Sequence, residues 1–156
     1  MSLTYGLEGF SELEKTLEAL KPATGKAAIR RSIKAAAQPM ADLMQGAAPV
    51  DDGDLQASIA ISTRLDKRQA GLHRKMFRDD RAAVEVFVGP SYDLGAGGRH
   101  GHLQEFGTAH HAPQPFVRPA WDQDREALLE RLSDQMWNEI QKTLARAARR
   151  AAKGRS

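Results

Sequence analysis

The sequence predicts an α+β fold in which an antiparallel sheet is packed by N-terminal helices and a long C-terminal helix. Two kinds of pattern carry that reading: three stretches with apolar residues at helical spacing, and two runs that alternate apolar and polar residues between them. Chain length, 156 residues, fits one domain spanning 1–156.

The elements follow in order. Leu7, Phe10, Leu13, Leu17 and Leu20 step by three and four along one face of a first helix, until Pro22 and Gly25 interrupt it. A second helix is predicted over about Thr24 to Gln45, with Ile29, Ile33, Ala36, Ala37, Met40, Leu43 and Met44 inward and a kink or break at Pro39, which lacks an amide. Leu55, Ala57, Ile59, Ile61 and Leu65 then alternate with Gln56, Ser58, Ser62 and Arg64, as in a half-buried strand. Val84, Val86 and Val88 predict a second strand; Phe87, on its outer face, marks a surface covered by a helix or a neighbour. Between the strands, about 66–82 reads as a flexible hairpin arm rich in Lys67, Arg68, Arg74, Lys75, Arg78 and Arg81, and about 93–101 as a glycine-rich mobile loop. Beyond Pro119, Trp121, Leu128, Leu132, Met136, Ile140 and Leu144 form the longest helical stripe, broadened by Trp137. Asp122, Asp124 and Glu126 crowd its start and basic residues its end, as the helix dipole favours, with a frayed tail at about 150–156.

Composition narrows the function classes. Hydrophobic residues make up 41% and charged residues 28%, enough for a folded chain. Aromatic residues are only 6% and alanine fills much of the apolar count, so the core is expected to be modest and stability shared across subunit contacts. There is no cysteine, which excludes disulfides and thiol chemistry. Net charge is +3, which permits nucleic-acid contact without requiring it. The start shows no basic stretch followed by an apolar run, and no apolar segment approaches the roughly 20 residues that span a bilayer. No membrane partner is expected.

Two blocks stand out. In the first, Pro49 ends helical geometry, Asp52-Gly53 turns the chain, and Leu55 opens the run that carries Ser58. The second joins Glu105-Phe106-Gly107-Thr108, read as a strand end, to Gln114-Pro115-Phe116-Val117-Arg118-Pro119-Ala120, a proline-constrained corner. There Phe116 can serve as an apolar plug, with Arg118 held between fixed residues. In this order and spacing, over nearly the whole chain, the blocks resemble the head–tail joining family of tailed bacteriophages, also described as minor tail or tail-completion proteins. Asp52 departs from the threonine or serine that the family commonly places before the turn glycine.

The resemblance implies a non-enzymatic structural part of a phage or prophage particle, assembled in the bacterial host cytoplasm and located at the virion neck or tail. It implies no cofactor. The expected partners are further copies of the chain, in a ring coaxial with the DNA channel, and other neck and tail proteins. By position, Pro49, Gly53, Leu55, Ser58, Glu105, Phe106, Gly107, Thr108, Gln114, Pro115, Phe116, Arg118 and Pro119 are the motif and the expected assembly interface.

Other readings are a tail terminator capping the tube, a DNA-binding module and a metal-dependent hydrolase. Duplex DNA in the channel would meet the phosphate-contacting arm of Lys67, Arg68, Arg74, Lys75 and Arg78, without sequence readout. His100, His102, His110 and His111 lie within a dozen positions, but glycine-rich surroundings and the absence of cysteine favour polar loop residues over zinc ligands. Gly95 to Gly98 lacks the lysine and serine or threonine of a phosphate-binding loop.

Overall fold

The computed structural model describes residues 15, 18, 20–78 and 84–154. The predicted first helix falls almost wholly outside them, as does Arg81. Among the described residues the order is α1 (Pro22–Ala47), α2 (Asp54–Ser58), β1 (Ile59–Ser62), α3 (Lys67–Met76), β2 (Phe87–Pro90), a 3₁₀ turn (Tyr92–Leu94), α4 (Ala96–Phe106) and α5 (Val117–Lys153). The architecture is α+β, with a small antiparallel sheet and a long C-terminal helix.

Helices α1 and α5 form the backbone of the fold and run antiparallel. Arg31 on α1 donates to Glu139, Ser32 to the Gln135 carbonyl, and Arg131 to the Ala36 carbonyl, so the numbers rise on one helix as they fall on the other. Alanine and serine make this close approach possible: Ala28, Ser32, Ala36, Ala37 and Ala41 are all buried on α1. Pro39 lies inside α1, which continues through it without the break that the sequence suggests. Arg131 reaches the Ala36 carbonyl just before that proline and is also held by both oxygens of buried Asp124.

The interior of α5 departs from the predicted stripe. Ala120, Asp124, Ile140 and Thr143 are buried, while Trp121 and Trp137 are exposed. The α1 surface is largely small-residued, so α5 meets it with Ala120 and the Asp124–Arg131 pair; Leu128 packs on the core and Ile140 is buried, while Trp121, Leu129 and Trp137 turn outward. The helix also persists to Lys153, where a frayed tail was expected from about 150.

The sheet is shorter than its alternation predicts. β1 pairs antiparallel with β2 in the register Ile59↔Pro90, Ala60↔Gly89, Ile61↔Val88 and Ser62↔Phe87, leaving Val84 and Val86 outside the strands. Residues 54–58 are a helical turn, since the Asp52 carboxylate accepts the Asp54 amide and Gly53 takes φ +86°. Leu55 and Ile59 are four apart, which satisfies a helical period as well as period two; the turn chemistry decides between them. Ser58, fully buried, closes the turn by donating to the Leu55 carbonyl.

Two expected loops are helical. The arm at 66–82 contains α3, whose start is capped by Asp66 accepting the amides of Arg68 and Gln69. His73 of α3 stacks edge-on against Phe87, with ring centroids 5.2 Å apart, so a helix covers that outward aromatic. The stretch at 93–101 becomes α4 from Ala96 onward, because Gly97, Gly98 and Gly101 let this helix press against neighbouring backbone and Pro90.

Candidate functional site

The second motif block is a helix-to-helix corner, not the predicted strand end. α4 stops at Phe106, and Gly107 turns the chain with φ +74°; a Cβ there would lie 2.8 Å from the His111 carbonyl oxygen and the Pro113 nitrogen. Thr108 and His111 then bridge across a tight turn, and the Gln114 amide donates back to the Gln104 carbonyl at 2.7 Å. Pro113 and Pro115 carry the extended chain to Phe116, which is 0% exposed. Phe116 shares its core with Met40, Ala41 and Met44 of α1, Ala48, Ile59 of β1 and Ala120 of α5.

Glu105 sets the start of α5. One of its carboxylate oxygens accepts the amides of Phe116 at 2.7 Å and Val117 at 2.8 Å, and the other accepts that of Arg118 at 3.0 Å. A helix begins with four amides that have no partner in the helix. Here three bond to one side chain, and the fourth position is Pro119, which has none. A single carboxylate and a proline therefore satisfy the whole first turn, and the negative charge sits where the helix dipole favours it.

Burial works to raise the Glu105 pKa, but the amides of Val117, Arg118 and Phe116, with the Arg118 charge, outweigh it and hold the carboxyl below its ordinary value. A depressed folded-state pKa gives stability that is present above the unfolded value and lost as pH falls through the folded one. Glu139 acts with the same sign: its bond from Arg31, opposed by burial and helped by the charges of Arg31, Lys142 and Arg146, lowers its pKa. Glu105→Gln keeps the shape but removes the charge. We expect it to cost about 1–2 kcal/mol near neutrality and to flatten the acid limb of the stability curve. Urea melts from neutral to acid pH check this; an unchanged slope would mean that the charge contributes nothing.

The corner brings the two sequence blocks together. Pro49, Gly53 and Leu55 face His100, Gln104 and Gln114 across a cleft of about 380 Å³. A second cleft, of about 450 Å³, opens on the other side of Glu105, where Phe106, Val117, Arg118 and Trp121 meet Pro90 and Tyr92. Phe106, at 69% exposure, and Trp121 stand out to solvent on its rim. Sequence reasoning placed Trp121 in the core and did not single out Tyr92. Exposed aromatics beside a buried alanine can be recognised only once the α1 surface is known.

The basic residues Lys67, Arg68, Arg74, Lys75 and Arg78 are all exposed on or just after α3. They stand apart from the corner, although Gln69 of the same helix lines the second cleft. His100 and His102 lie on α4, His110 and His111 in the turn after it, and among the described residues no group of His, Asp or Glu is placed to hold a metal ion. No described helix is long and apolar enough to cross a membrane.

Comparison with known families places this chain among the structural components of phage tails. A family model described as "Bacteriophage HK97-gp10, putative tail-component" matches residues 11–107, more than half of the chain, and the chain belongs to this HK97-gp10-like family. The match includes Glu105 and Gly107 and ends before Gln114, so the amides that Glu105 caps lie beyond the matched stretch. No curated protein and no solved structure matches significantly.

Proposed function

We propose that this tail component joins head to tail, or completes the tail, by assembling as a ring, with the corner between α4 and α5 as a contact surface. The observation that carries the proposal is the rim of the second cleft. Phe106, Arg118 and Trp121 are exposed there, on backbone fixed by Gly107, by Pro115 and by the three bonds to Glu105. Large apolar side chains grouped at a surface and held on stiff backbone suit a protein contact. The fold gains little from them.

Arg118→Ala and Phe106→Ala test this. Each should leave the melt of the isolated chain within about 0.5 kcal/mol of the parent, since both side chains are exposed. Each should lower the yield of joined, infectious particles at least several-fold. Normal yields from both would remove the corner as an interface. Particles formed without the chain separate the two positions: free heads beside tails of normal length support joining, whereas overlong tails mark a terminator cap.

A further inference from the structure

We propose that α3 of one copy docks on the acidic outer face of α5 of the next. The inference rests on the assembly role above and names a second pair of surfaces for it. Along α3, Arg68, Leu72, Lys75 and Met76 fall at positions i, i+4, i+7 and i+8, which is one helical face. Leu72 and Met76 are exposed, Met76 at 76%. Along α5, Glu126, Leu129, Glu130, Asp134 and Trp137 share one face by the same spacing, with Leu129 and Trp137 also exposed.

The two faces are opposites in charge and alike in their apolar centres. Among the described residues, Lys67, Arg68, Arg74 and Lys75 are in no ion pair, and neither are Glu126, Glu130 and Asp134. Their lengths also agree. Arg68 to Met76 spans about 12 Å of helix and Glu126 to Trp137 about 16 Å. Asp66 caps α3 and Gln69 ties it to the Pro90 carbonyl, so the basic face is presented on an ordered helix.

Leu72 and Met76 decide what kind of partner fits. A phosphate backbone would use the cations and gain nothing from two exposed apolar side chains between them. A helix face bearing Leu129 and Trp137 among carboxylates would use both. Because the contact joins different surfaces, it repeats from copy to copy and can close into a ring.

The chain has no native cysteine, so introduced thiols report cleanly. A chain carrying L72C and L129C should form a disulfide-linked ladder of copies on oxidation, both as concentrated protein and in purified particles, while a chain carrying D42C, on exposed α1 surface, with L129C should not. E126K with E130K should reduce the ladder about ten-fold, and adding R68E with K75E to the same chain should restore it by reversing both charges. Absence of the ladder in particles that contain the chain, or failure of the double reversal to restore it, would overturn the contact. Duplex-DNA retention that depends on Arg68 and Lys75 without any ladder would assign α3 to phosphate instead. If particles lacked the chain, the assembly role would fall, and the concentrated protein would still decide the contact.

Discussion

Phe116→Ala is expected to destabilise the chain by about 3–5 kcal/mol, with Phe116→Leu costing less than about 1.5 kcal/mol. Phe116 is completely enclosed and meets residues from α1, β1 and α5 together with Ala48, so the cavity left by alanine would open where these elements join. Its neighbours collapse poorly into such a space. Ala41, Ala48 and Ala120 have no side-chain length to give, and only Met40 and Met44 can bend inward. The Phe116 amide is also bonded to Glu105, so loosening the ring disturbs the cap on α5. Urea denaturation of the two variants, compared at equal slope, measures the difference. Losses close to zero for both variants would show that the ring is not what holds the corner.

How much of this was legible depended on what each pattern was competing with. The long C-terminal helix was readable because charge gradient and apolar spacing agreed over many turns. Its inward face was legible only in part: Leu128 packs on the core and Ile140 is buried as expected, but Ala120 and a carboxylate, Asp124, are buried where hydrophobicity favours Trp121. Alanine-rich α1 lets its partner come close, and nothing in the sequence says which face of that partner meets it. The alternating run at 55–65 misled at its start, where Asp52 and Gly53 begin a helical turn that satisfies the same apolar positions. Glycines at 97, 98 and 101 suggested a mobile loop; they are there because α4 lies against other backbone. Glu105, Gly107, Phe116 and Pro119 could be picked out as a motif, yet its physical content, one carboxylate serving three amides thirteen residues or fewer away, needed the fold.

Gly98→Ala is the second large loss, expected at about 3 kcal/mol or more. A Cβ at that position would lie 1.9 Å from the Ser91 carbonyl oxygen and 2.6 Å from its carbon. Ser91 cannot swing aside, because its amide bonds the Ser58 carbonyl at 2.9 Å and Ser58 is itself buried. α4 must therefore move as a body. Overpacking of this kind costs about 1–3 kcal/mol by itself. Glu105 lies seven residues further along the same helix, about 10 Å away, so displacement of α4 also stretches the three bonds to α5. Gly71→Ala is the contrasting case: nothing lies within 4 Å of the added methyl, and removing a glycine from the middle of α3 should stabilise it by about 1 kcal/mol. A double-mutant cycle tests the route of the damage. If Gly98→Ala acts partly by pulling Glu105 off its amides, adding Glu105→Ala should cost less than it does in the parent chain. Strict additivity would mean that α4 absorbs the clash locally, and that the corner does not depend on how this helix is seated.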